Sequence, residues 1–64
     1  HETFEFTLAT AELCEHFSNF KEAIIRWERI LDMLSDDDLA GEELKELYQN
    51  TALNSLTYCF NAAG

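Results

Sequence analysis

The stretch that decides the fold is NFKEAIIRWERILDML, at residues 19–34. Its apolar positions recur every three or four residues, which is the spacing that places side chains on one face of an α-helix. These positions are Ala23, Trp27, Ile30, Leu31 and Leu34, with Ile24 beside them. Asn19 followed by Glu22 is typical of a helix start of the capping-box kind. The pattern therefore predicts an amphipathic helix from Phe20 to Leu34.

A second helical pattern precedes this one, from Phe4 to Phe17. Its apolar residues again recur at three- and four-residue steps, and they predict one buried face. That face consists of Phe6, Ala9, Leu13 and Phe17, widened by Leu8, Ala11 and Cys14. Ser18 and Asn19 interrupt the pattern and separate the two helices.

A third helix is predicted from Glu42 to Ala62, after a connection at residues 35–41. Asp36, Asp37 and Asp38 lie in this connection, where negative charge favours the N-terminus of the helix that follows. The second half of the third helix is apolar over a wide arc, which indicates neighbours on more than one side. Three helices joined by short connections predict an all-α fold with antiparallel neighbours, running up, down and up.

The composition of the chain restricts the classes of function that it can have, as well as its fold class. The 64 residues are 47% apolar, which predicts a packed domain rather than an acidic disordered tail. The net charge of −9 disfavours nucleic acid and anionic membrane surfaces. No apolar run approaches the length of a membrane span. We therefore expect one unit over residues 1–64 without nucleic-acid or membrane partners. We also expect this unit to be cytoplasmic, and to be a piece of a longer chain because its last apolar pattern runs almost to the final residue.

The central pattern resembles the second helix of a tetratricopeptide repeat (TPR). Phe20, Ala23, Trp27 and Ile30 stand where that family places an aromatic, a small, an aromatic and a small or branched residue. Near the C-terminus the chain is similar to the first helix of a following repeat. The residues that carry this second similarity are Leu53, Leu56, Phe60 and Gly64.

The resemblance is uneven in two respects. The family's bulky first-helix positions fall on Thr7, Thr10, Ala11 and Cys14, of which only Ala11 is a good small-residue match. Thr7 and Leu53 lie 46 residues apart, against about 34 in the family. The chain thus resembles a TPR-like helix-turn-helix unit plus a further helix, with an insertion.

This resemblance implies a protein-interaction module without enzymatic activity. Members of the family hold peptide segments in a groove lined by the first helix of each repeat, so Asn50, Asn54 and Tyr58 are the predicted groove residues. The implied structural core is Phe20, Ala23, Trp27, Ile30, Leu53, Leu56 and Phe60. Because the chain is acidic, we expect a basic protein or peptide partner, or assembly with a second copy.

A second resemblance points to a different class. In length and in the spacing of its second helix, the chain looks like the three-helix domains of microtubule-interacting and trafficking proteins. Those domains bind amphipathic helices in grooves between their own helices. The alternative function is therefore a self-contained three-helix structural or trafficking-type domain.

The two cysteines allow two interpretations. Cys14 and Cys59 both lie toward the C-terminal ends of helices that are predicted to be parallel. This geometry allows a disulfide between them. It would close a loop of about 45 residues and stabilise the domain by roughly 2–4 kcal/mol. Free cysteines are commonly buried as small apolar residues, however, and two thiols are the expectation for a cytoplasmic domain.

Residue patterns for catalysis and metal binding are missing from the sequence. The chain contains no H-E-x-x-H, no G-x-S-x-G and no phosphate-binding glycine loop. Neither cysteine belongs to a zinc-binding pair, because Cys14 and His16 point in different directions on a helix. We therefore predict no catalytic residues, no metal site and no cofactor.

Overall fold

A computed structural model of the chain describes residues 3–35 and 41–64, and these contain three α-helices. Helix α1 spans Phe4–His16, α2 spans Phe20–Leu34 and α3 spans Glu42–Ala63. The predicted all-α fold is confirmed, with helix bounds within one residue of those expected. The acidic residues 36–38 lie outside the described residues. None of the described helices combines the length and the apolar character that crossing a membrane requires.

Helix α2 is the centre of the fold and packs against both of its neighbours. Helices α1 and α3 run parallel to each other, since Phe4 meets Tyr48 near their starts and Glu15 meets Cys59 near their ends. The two rings at the starts lie edge to face with centroids 5.1 Å apart. The order is therefore up, down and up, with α1 and α3 meeting mainly through side chains.

The turn between α1 and α2 is a Schellman motif with a serine in the left-handed position. Ser18 has a φ of 64°, and its N–H donates to the carbonyl of Glu15. The N–H of Asn19 donates to the carbonyl of Cys14 at 2.8 Å, which completes the pattern of hydrogen bonds. The predicted capping box at Asn19 and Glu22 is therefore wrong, because the N–H that Glu22 would accept from is already used.

A single buried cluster joins the three helices. Its apolar members are Ala11 on α1, Ala23, Trp27, Ile30 and Leu34 on α2, and Ala52, Leu56 and Cys59 on α3. The side chains of α2 fill most of the volume of this cluster, and Trp27 is only 2% exposed. Phe20 packs against the cluster from its edge and is partly buried.

Helix α1 buries a different face from the one that its apolar residues predicted. Phe6, Leu13 and Phe17 are 54%, 54% and 73% exposed, whereas Thr7 and Ala11 are fully buried. The small side chains allow the backbone of α1 to lie close to α2, where the large side chains of α2 occupy the space between the helices. The buried hydroxyl of Thr7 donates to the carbonyl of Thr3 at 2.9 Å, so its burial leaves no unpaired donor.

Helix α3 is also rotated relative to the expectation. Its buried line is Ala52, Leu56 and Cys59, while Leu53 and Phe60 are 47% and 54% exposed. Placing Leu53 and Phe60 in the core was therefore wrong. Each is one position further along the helix than a buried residue, a rotation of about 100° that turns it to the outer flank of α3.

Candidate functional site

A groove of about 600 Å³ opens between α1 and α3, above the first turns of α2. It forms because α1 and α3 each pack against α2 but make few contacts with each other. All three helices and the Schellman turn line it. The lining residues are Glu12, Glu15, His16, Ser18, Phe20, Trp27, Thr51, Ser55 and Tyr58. This volume lies within the range of about 300–1,000 Å³ that is typical of ligand-binding sites in proteins.

Glu15 connects the groove to the core. Its Oε1 accepts a hydrogen bond from the indole Nε1–H of Trp27 at 3.2 Å. The same oxygen lies 3.6 Å from Sγ of Cys59, which acts as a weak donor. One carboxylate therefore links α1 to both α2 and α3 at the base of the groove.

The contact with Glu15 also affects the thiol of Cys59. Burial raises the pKa of the Cys59 thiol, and the negative charge of Glu15 and the hydrogen bond to it raise it further. All three effects favour the neutral thiol, because a thiolate here would be desolvated, would face another anion and could not donate the hydrogen bond to Glu15. Cys59 is thus an unreactive thiol at neutral pH.

Tyr58 forms the aromatic wall of the groove. Its ring is 56% exposed and meets the ring of Phe20 edge to face, with centroids 5.8 Å apart and an interplanar angle of 73°. Contacts of this geometry favour one orientation of the two rings. The groove consequently has an aromatic side on α3 and an acidic side on α1.

The structure brings one of the three predicted groove residues to this site. Tyr58 lines the groove, whereas Asn50 and Asn54 are exposed and lie outside its lining. Thr51 and Ser55 take their places, one position along the helix, because α3 is rotated as described above. Glu15 was not predicted either, since its bonds join residues on three helices and leave no local signal in the sequence.

The remaining chemical groups are dispersed. Cys14 is partly buried, Cys59 is buried, and both are free thiols in the structure. Within residues 3–35 and 41–64, no three His, Cys, Asp or Glu side chains converge in a way that could hold a metal ion. The alternative disulfide between Cys14 and Cys59 is not formed in the structure, and the groove is the feature best suited to a ligand.

The fold and the groove together define a class: a small, acidic, all-α protein with an open groove between its first and third helices. Comparison with protein-family models, with curated proteins and with solved structures finds no match to this chain.

Proposed function

We propose that this chain is a non-enzymatic protein-interaction module of the TPR-like kind, and that it holds a segment of a protein partner in the groove between α1 and α3. The observation that carries the proposal is the position of the groove. Helices α1 and α3 correspond to the first helices of successive repeats in the resemblance, and it is these helices that provide most of the groove lining. Peptide binding by the family occurs on that surface.

The pattern of burial in the first two helices supports the proposal. Thr7 and Ala11 are buried at the positions where the family has packing residues, although the larger apolar side chains of α1 lie elsewhere. Ala23, Trp27 and Ile30 are buried at the corresponding positions of α2. Small residues that let two helices approach, with an aromatic residue beside them, are the physical basis of the family's packing.

Selection from a library of random twelve-residue peptides would test the proposal, followed by calorimetric titration of the selected peptides. We expect peptides that bind the parent chain and bind Tyr58→Ser at least tenfold more weakly. Phe60→Ser is the matched control, because Phe60 is about as exposed as Tyr58 but lies on the outer flank of α3. Peptides that bind both variants as well as the parent, or the failure of selection to yield any peptide, would refute a function for the groove.

A second candidate function is favoured by the exposed apolar side chains outside the groove. Leu53 and Phe60 form an apolar strip on α3, and Phe6, Leu13 and Phe17 form another on α1. Such strips are typical of surfaces that cover an amphipathic helix or a second copy. The alternative is thus a three-helix structural or trafficking-type domain, or one that assembles with itself.

Light scattering under reducing conditions tests self-assembly. A monomer at all concentrations would rule out assembly with a second copy. A dimer that dissociates when Phe60 is changed to Ser would instead support self-assembly through the outer flank of α3. Affinity for a selected peptide that does not change with salt would favour an apolar contact over an acidic one.

A further inference from the structure

The acidic side of the groove, which His16 also lines, has no lysine or arginine beside its carboxylates. Glu12 and Glu15 lie on this side, and the lining includes no lysine or arginine. Within residues 3–35 and 41–64, the structure pairs neither carboxylate with a lysine or arginine, while Arg26 pairs with Glu22 at 3.3 Å on the same helix. A negatively charged groove attracts a cationic group, and the attraction is stronger where the carboxylate is partly shielded from water.

The carboxylate of Glu15 is held in position before any ligand arrives. Both donors that contact it, the indole of Trp27 and the thiol of Cys59, meet Oε1. A ligand can therefore contact Oε2 without displacing these bonds. A group that is already oriented loses little conformational freedom on binding, which favours affinity.

The opposite wall offers an aromatic face. The edge-to-face contact with Phe20 holds the ring of Tyr58, and more than half of the Tyr58 side chain remains exposed. A planar cation can stack on such a face and at the same time donate a hydrogen bond to Oε2 of the carboxylate. Guanidinium meets both requirements, whereas a lysine ammonium has no planar face that could stack on the ring.

We propose that the groove binds an arginine side chain of the partner segment, with its guanidinium between the carboxylate of Glu15 and the ring of Tyr58. Glu12, about one turn earlier on the same helix, adds to the negative potential at the mouth of the groove. This inference rests on the proposed function, since it specifies what kind of peptide the groove accepts. A metal ion does not suit the same residues, because no three donor side chains converge among those described.

The single tryptophan of the chain provides a direct probe of this site. Its indole N–H is bonded to Glu15, so the ¹⁵N–¹H signal of Trp27 reports contact with that carboxylate. The experiment titrates N-acetylarginine N-methylamide at constant ionic strength and follows this signal. We expect a saturable shift with a Kd in the millimolar range, as is typical of one side chain binding alone. The lysine analogue should bind at least threefold more weakly, and the neutral citrulline analogue should give no saturable shift.

Two variants and one control locate the site. Glu15→Gln keeps an acceptor for the indole but removes the charge, and Tyr58→Leu keeps apolar bulk but removes the aromatic ring; each should weaken binding at least fivefold. Glu28→Gln removes the same charge from an exposed position outside the groove lining, and should leave the Kd unchanged within the error of the titration. If Glu15→Gln does not fold, Glu12→Gln, at an exposed position, should still weaken binding about twofold.

The outcomes separate this inference from the function on which it rests. Equal shifts with the arginine and citrulline analogues, or equal weakening by Glu15→Gln and Glu28→Gln, would overturn the arginine site. If selected peptides then bound the groove without any arginine, the proposed function would stand and this inference alone would fail. If neither peptides nor the arginine analogue bound at the groove, both would fail.

Discussion

Removal of the Trp27 side chain tests the packing on which both the fold and the groove depend. Trp27 is 2% exposed and belongs to the buried cluster that joins all three helices. Truncation of a buried tryptophan to alanine typically costs about 3–5 kcal/mol. A single hydrophobic core in a domain of 64 residues rarely provides more than about 3–5 kcal/mol of stability. The loss is of the same size, so Trp27→Ala should leave the chain largely unfolded at 25 °C.

A conservative variant separates the apolar and polar contributions of this residue. Trp27→Phe retains most of the buried apolar surface but loses the hydrogen bond from Nε1–H to Glu15. Hydrogen bonds to charged groups contribute about 1.5–3 kcal/mol. Glu15 is only half-buried and can bind water instead, which places the expected loss near the lower limit, at about 1–2 kcal/mol.

Urea denaturation followed by circular dichroism at 222 nm measures both effects, since the variants lack tryptophan fluorescence. With a slope of about 1 kcal/mol/M for a small domain, Trp27→Phe should lower the midpoint by about 1–2 M. Phe17→Ala is the control, because Phe17 is 73% exposed and its truncation should change stability by less than about 0.5 kcal/mol. A midpoint for Trp27→Ala that equals that of Phe17→Ala would refute the placement of Trp27 in the core.

Three further predictions follow from the turn and the thiols. Ser18→Gly should stabilise the domain by about 1 kcal/mol, because glycine adopts the positive φ of this position without strain. The expected rise in Tm is about 4–8 °C. An unchanged Tm would argue against the left-handed turn. Titration with a thiol reagent in denaturant, without reductant, should find both Cys14 and Cys59 free, whereas no reactive thiol would demonstrate the disulfide. Stability should fall above about pH 8.5, by up to about 1.4 kcal/mol per pH unit, because the raised pKa of Cys59 makes the unfolded chain lose its thiol proton first. Cys59→Ala should abolish that part of the fall and Glu15→Gln should reduce it; a profile identical in the parent and in Cys59→Ala would contradict the buried thiol.

The pattern of α2 was sufficient to predict its structure from the sequence. Apart from Ile25, which is 58% exposed, its large apolar residues form one stripe, so one rotation of the helix buries them. Ala23, Trp27 and Ile30 are indeed buried. The helix bounds were predictable for a related reason. The chain contains no proline and two glycines, and polar residues separate the apolar patterns, which leaves few places for a helix to end.

The rotations of α1 and α3 were decided only by the tertiary structure. Each helix has apolar residues on more than one side, so more than one rotation would bury an apolar stripe. On α1 the small side chains of Thr7 and Ala11 allow the helix to lie closer to α2 than the large side chains of Phe6 and Leu13 would. This closer packing is favoured because it forms more van der Waals contacts than a larger side chain does at a greater distance between the helices.

The groove depends on those same rotations. The rotation of α3 places Thr51, Ser55 and Tyr58 in the lining and leaves Asn50 and Asn54 outside it. Glu15 acquires its role only when the indole of Trp27 and the thiol of Cys59 are brought to one carboxylate oxygen. The sequence by itself determined three helices and the buried face of the central one, because those follow from local periodicity. The tertiary structure determined the site, because its residues are distant in the chain and meet only when two helices with ambiguous faces pack against α2.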